Sequence, residues 1–299
     1  MNRYLQFKRP SFFQIKWFYI LFIYHFLFIF TAFFQRVNRG YSDAHLYWAQ
    51  YFDITNDSWF KFAQYGTSFI LFLNYPFIKL GLPFWFGFVM YGIIGFFGII
   101  IYIKWIDLVF GNQFLVKGFN ILPLFYFMPN LHYWTSSLGK EPLIFLCIAS
   151  VFYALALNKI KYLVIPIIFI LLIRPHVAML VMASIITVFF FNKKFSLKKR
   201  ITIALLSFPI LFTLVYMVFQ LSKIRYWNWS RISYYNDFSI TSFKNSGSYI
   251  PMLEYSFPYK VFSFYFRPLF YDSNTIWTLL ASFDNFFILL LHFVAIIFL

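Results

Sequence analysis

From Phe84 to Ile103 the chain carries no Asp, Glu, Lys, Arg or His, and comparable apolar runs recur along its length. Such a stretch has few places to go. Helical and about 20 residues long, it matches the roughly 30 Å hydrocarbon core of a bilayer. A backbone in hydrocarbon must satisfy its own polar groups, which leaves helices or closed barrels. The runs are continuous and show no ten-residue alternation of apolar and polar positions, so a barrel is excluded. Only 11% of residues are charged and 62% are hydrophobic, against about 25% charged in a soluble domain. The sequence therefore predicts an all-α, polytopic transmembrane bundle of about 8–9 membrane segments, with short amphipathic helices in its loops.

The runs and their flanks give an order along the chain. A first span at 17–35 follows the basic residues Arg3, Lys8, Arg9 and Lys16. No small-residue cleavage site follows it, so it reads as retained. Further spans are expected at 84–103, 118–133, 142–157, 161–173, 177–192 and 201–221, all within a single integral membrane domain over 1–299. The last apolar run, 286–299, is shorter than a span, so a continuation past Leu299 is expected. Cys147 is the one cysteine, so there is no disulfide framework.

A net charge of +16 raises nucleic acid as a partner, but the basic residues cluster at the ends of the runs. That distribution belongs to topology and anionic lipid headgroups. Placing the N-terminus, 104–117, Lys159/Lys161 and 193–200 in the cytoplasm puts four other segments on the outer face. They are the first loop (36–65), the Lys140–Glu141 turn, the Arg174–His176 turn and a large loop (222–275). This arrangement requires 66–104 to cross an odd number of times. Residues 66–81 are then a broken or re-entrant piece, interrupted at Asn74-Tyr75-Pro76 and again at Gly81-Leu82-Pro83, before one full span. Two crossings would put the basic loops on alternating sides.

Ionisable groups at membrane depth cost roughly 2.5–3.5 kcal/mol each and so usually mark function. The stretch Pro129-Asn-Leu-His-Tyr-Trp-Thr-Ser-Ser-Leu-Gly-Lys-Glu-Pro142 holds Lys140 and Glu141 between two apolar runs. It is either part of a site or a polar turn with Lys140 reaching the headgroups. Arg174-Pro175-His176 interrupts an otherwise apolar region: the guanidinium suits phosphate oxygens and the imidazole can exchange a proton. A span-end arginine snorkelling to headgroups is the plainer alternative. Asp43, just beyond the first span, can serve as a general base or as a solvated or capping aspartate. Arg267-Pro268 repeats the Arg-Pro pairing among aromatics, where it can hold phosphate or anchor at the interface. Arg225 and Arg231 lie among Tyr226, Trp227, Trp229, Tyr234 and Tyr235, a composition shared by sugar-stacking surfaces and aromatic belts. His45 and His132 stay open, and His25 and His292 read as packing residues. No metal-ligand spacing or glycine-rich phosphate loop is present, and no cofactor is evident. A divalent cation stays open.

The basic N-terminus, single span and outer loop with Asp43 before Tyr47-Trp48 resemble the opening of GT-C-fold integral membrane glycosyltransferases. Trp134-Thr-Ser-Ser-Leu-Gly-Lys-Glu141, Ile173-Arg-Pro-His176 and Phe266-Arg-Pro268 are similar to bacterial envelope polysaccharide proteins. Those include O-antigen and exopolysaccharide repeat-unit polymerases. The resemblance implies a GT-C-like bundle in the bacterial cytoplasmic membrane, with its N-terminus in the cytoplasm. It implies a polyprenyl-(pyro)phosphate-linked sugar donor, a glycan acceptor and membrane lipids as partners, and no nucleic acid. Asp43 would be the base, with His176 beside it in the catalytic set. Lys140, Arg174, His176 and Arg267 would grip the donor phosphate; from the residues themselves, Glu141, Arg225 and Arg231 are further candidates for binding substrate. The chain departs from many GT-C enzymes at Ala44, where a second acidic residue is usual. A flippase of lipid-linked glycans and a non-catalytic subunit of a glycan-assembly complex are the alternatives.

Overall fold

The computed structural model describes residues 15–110, 115–116, 119–120, 125–191, 196–221, 228–242, 244 and 249–298. These residues are almost entirely helical. The helices are α1 (Ile15–Arg39), α2 (Asp43–Tyr47), α3 (Thr67–Lys79), α4 (Phe84–Val109), α5 (Pro129–Thr135) and α6 (Lys140–Ala156). After them come α7 (Val164–Ile173), α8 (Pro175–Phe191), α9 (Leu197–Leu221), α10 (Trp229–Ser242), α11 (Phe257–Phe266) and α12 (Ile276–Phe298). A two-residue antiparallel hairpin pairs Leu115 with Asn120 and Val116 with Phe119.

Four helical stretches are long and apolar enough to cross a membrane: Trp17–Arg39, Phe84–Val109, Leu197–Leu221 and Ile276–Phe293. The pair α5 and α6, bent by 114°, makes a fifth if counted as one broken span. Ile160–Ile173 and Pro175–Phe191 are shorter apolar helices. The protein is thus helical and membrane-embedded. Counting the bent pair and both shorter helices brings the total among the described residues to seven, below the 8–9 segments expected from the sequence.

Proline and glycine set most of the breaks. Pro175 opens α8 and holds Arg174 extended (φ −145°, ψ 87°), because a residue before proline is pushed out of the helical region. Gly139 precedes α6, and Pro142 falls in its first turn, where a missing N–H does no harm. Two expectations change. The segment 118–133 is not one span: among its described residues the chain is paired as a hairpin at 119–120 and helical only near 125–126 and from Pro129. Asn74-Tyr75-Pro76 is not a break, for α3 runs through it to Lys79. Asn74 is fully buried, donating to the Tyr47 carbonyl (2.9 Å) and accepting from the Tyr91 hydroxyl (2.9 Å).

The packing forms two compact units, 1–127 with 131–218 and 128–130 with 219–299. In the first, α4 is the hub: half of its most apolar window is buried, against 28% for α1. Helix α1 runs antiparallel to α4, with Phe18 against Phe96 and Phe33 against Phe88. The bend after α5 presses on the same helix so closely that a Cβ at Gly95 would lie 1.9 Å from the Thr135 carbonyl oxygen. Only glycine admits that approach.

Both ends of α3 return to α2. Thr67, at its start, receives the Lys140 ammonium that also sits over the Tyr47 ring. Just past its end, Leu82 accepts from the Trp48 indole (3.1 Å) and Phe84 packs on His45. Within 66–104, α4 is the helix long and apolar enough to cross a membrane.

In the second unit, α11, the turn Phe270–Asp272 and α12 pack together. Asp284, buried on α12, accepts from the Asn130 backbone N–H at 2.6 Å, and Asn285 donates to the Pro268 carbonyl at 3.0 Å.

Candidate functional site

At the end of the first unit where α4 begins, side chains from α2, α3, α6 and the α7–α8 break converge. Arg174 pairs with Glu141, which is far away in sequence and lies on α6. Both partners are partly exposed, at 35% and 29% of their side chains, so the guanidinium keeps a face for another ligand. Lys140 donates to the Thr67 hydroxyl at 3.2 Å. It lies within electrostatic reach of Arg174, Asp43 and Glu141, and His176 within reach of Arg174 and Lys140. Asp43, the first residue of α2, is exposed and has no protein hydrogen-bond partner among the described residues. His176 is exposed one residue into α8.

The reasons for this arrangement are local. Trp48 and Tyr47, buried at 2% and 6% exposure, anchor α2 so that Asp43 is carried at its solvent edge. The Gly66 N–H donates to the Leu172 carbonyl at 2.8 Å and ties the start of α3 to the end of α7, next to Arg174. Gly139 lets α6 begin hard against α2, since a Cβ there would sit 2.9 Å from Glu141 Oε2 and 3.3 Å from the Tyr47 ring. The Tyr47 phenol is held well above its ordinary value. Burial is the largest cause, followed by the carboxylates of Asp43 and Glu141, with Arg174 and Thr67 acting in the opposite sense. That phenol stays protonated and can act as a donor.

The assembled groups are two cations, two carboxylates, an imidazole and a phenol. Lys140 and Arg174 can hold an anion, and Glu141 orients the guanidinium. Asp43 and His176 are free to exchange protons with a bound hydroxyl. Among the described residues no three His, Cys, Asp or Glu side chains converge as a metal site.

Five of the sequence candidates are therefore brought together: Asp43, Lys140, Glu141, Arg174 and His176. Tyr47 and Thr67 join them and were not singled out. Arg267 and Arg231 lie in the second unit. Arg267 is bound by both carboxylate oxygens of Asp272 and by the Tyr255 hydroxyl (3.1 Å), and it borders a cavity of about 150 Å³ lined by Ile240, Tyr249 and Ser263. Arg231 is exposed on α10. Arg225 lies outside the described residues.

The histidines sort differently from expectation. His45 is structural: it bonds Ser42 Oγ (2.8 Å), stacks on Tyr51 and is lowered in pKa by burial and then by Arg36. His292 packs against Phe266 and bonds the Ile288 carbonyl. His25 is more than a packing residue. It is 2% exposed, and its Nδ1 lies 3.0 Å from Nδ1 of His132, itself fully buried. Its position inside an apolar run was the available signal, because an ionisable residue there is a functional candidate by default.

A scan against protein-family models, a search of curated proteins and a search of solved structures each found no match to this chain.

Proposed function

We propose that the chain is a membrane-embedded glycosyltransferase or polysaccharide repeat-unit polymerase. It would use a polyprenyl-(pyro)phosphate-linked sugar at the outer face of a bacterial cytoplasmic membrane, with its N-terminus in the cytoplasm. The observation that carries this reading is the convergence of Asp43, Lys140, Glu141, Arg174 and His176 from segments far apart in sequence. On this reading the fold is a GT-C-like bundle in which the bent pair α5–α6 and the short helices α7 and α8 complete the membrane segments. Arg174 and Lys140 stabilise the charge that develops on the departing lipid phosphate. Asp43 takes the proton of the acceptor hydroxyl, and His176 supports that exchange. Tyr47 donates from beneath. The test is glycan yield and length in cells carrying Arg174→Ala or Asp43→Asn at wild-type protein level. Near-complete loss of product supports the reading, and normal polymer from both variants sinks it.

A flippase of lipid-linked glycans is the second reading, favoured by one observation. A carrier places polar groups deep in the membrane, and His25 with His132 are such groups. In reconstituted vesicles a flippase moves the lipid-linked donor between leaflets without consuming it, whereas the enzyme consumes it.

A further inference from the structure

Each imidazole of the buried pair has both ring nitrogens engaged. His25 Nε2 lies 2.9 Å from the Gly92 carbonyl oxygen, and His132 Nε2 lies 2.7 Å from the Tyr126 carbonyl oxygen. A carbonyl only accepts, so both Nε2 atoms must carry hydrogen. A neutral imidazole has a single N–H, so two neutral rings would leave two bare Nδ1 lone pairs facing each other at 3.0 Å. Moving either proton to Nδ1 only transfers the clash to a carbonyl. Rotating either ring would put carbon where nitrogen now meets its partner. Ser136 gives little relief: its Oγ stands 3.4 Å from both nitrogens of His25 and from the His25 carbonyl oxygen, long for a hydroxyl hydrogen bond and shared three ways.

We propose that His25 and His132 form a proton-binding site in the interior of the first unit, with one proton held between the two Nδ1 atoms. The pair is then one imidazolium hydrogen-bonded to one imidazole. Gly92 lies about 12 Å along α4 from Phe84, so the charge is held at span depth. The surroundings suit a cation. Phe96 lies against His25 at 5.5 Å between ring centroids, and Phe28 and Tyr24 lie against His132 at 5.8 and 4.7 Å.

The titratable groups around the pair come from each neighbouring element. Tyr24, on α1, donates its hydroxyl to the Phe127 carbonyl (3.1 Å), and Tyr133, on α5, donates to Gln35 (2.7 Å). Tyr126 accepts from His132 through its carbonyl and donates its hydroxyl to Asp107 on α4 at 2.6 Å. Asp107 is the carboxylate one residue removed from the pair, at the far end of α4 from the Asp43 cluster. It gives a proton arriving from that end a polar group to meet.

The test uses the full chain in phospholipid nanodiscs with nitrogen-15-labelled histidine, read by solid-state NMR at neutral pH. The expected spectrum has two Nε2–H groups and one strongly downfield proton shared by two Nδ1 nitrogens. That proton is lost in His25→Gln and in His132→Gln and retained in His176→Gln and His292→Gln. Two neutral Nε2–H rings with no shared proton in the wild-type protein would overturn the proposal. So would a shared proton that survives either His25→Gln or His132→Gln. Because the wild-type spectrum alone can refute it, the test stands even if one variant fails to fold. The readout is also independent of glycan synthesis.

Discussion

Arg174 and Arg267 share a dipeptide and little else. Each precedes a proline, and each meets a carboxylate. Arg267 finds its partner five residues away, takes both oxygens of Asp272, adds Tyr255 and is buried to 14% exposure. Three of its N–H groups are engaged within its own unit, two of them by the same carboxylate. Arg174 reaches across to another helix, meets a single oxygen of Glu141 and keeps 35% of its side chain exposed beside Lys140 and His176. One arginine closes a loop, and the other is held ready for something else. What separates them is the sequence distance and geometry of the partner acid, which the Arg-Pro motif does not encode.

The largest expected effect separates the two on activity. Removing a group that stabilises developing charge typically lowers the rate by about 10²–10³-fold, so Arg174→Ala should lower glycan output by about that factor, while Arg267→Ala leaves the chemistry of folded protein largely intact. Radiolabelled product from membranes with matched protein levels measures it.

Stability should reverse the ranking. Arg267→Ala strands a mostly buried Asp272 carboxylate, which for a fully buried pair costs about 3–5 kcal/mol and here about 2 kcal/mol. Arg174→Ala leaves Glu141 partly solvated and should lower the midpoint of thermal unfolding in detergent far less. A second structural variant calibrates that scale. Gly95→Ala must push the Thr135 backbone aside, and overpacking of this kind costs about 1–3 kcal/mol.

The smallest effect is on pH. Hydrogen bonds from Arg267 are the largest cause holding the Asp272 carboxyl below its ordinary value. The sign follows from linkage: the contribution is fully present above the unfolded value of about 3.9 and is lost as pH falls through the lower folded value. Acid unfolding followed by tryptophan fluorescence should show this loss in the wild-type protein, and Asp272→Asn should remove it.

The contrast also shows what the sequence could and could not carry. Lys140, Glu141 and Arg174 stood out because charge is scarce in apolar runs, and the break at Pro175 followed from proline alone. Tyr47 stood out only as part of the pattern that follows Asp43, and Thr67 gave no signal, for a threonine near a helix end is ordinary. Asn74-Tyr75-Pro76 reads as a break, yet two buried hydrogen bonds to Asn74 hold the helix through it. The segment before Pro129 reads as a span on hydropathy, although residues 119–120 pair as a strand and α5 begins only at Pro129. His25 was visible as an anomaly, but its partner lies 107 residues away, and no local pattern encodes such a meeting.

The central claim is that the cluster around Arg174 holds a lipid-linked phosphate and that Arg267 does not. Binding of a polyprenyl diphosphate to the purified chain in nanodiscs tests it most directly. The account predicts that Arg174→Ala weakens binding at least tenfold, with Lys140→Ala in the same direction and Arg267→Ala unchanged in folded protein. Equal binding by wild type and Arg174→Ala, or a loss confined to Arg267→Ala, would contradict it.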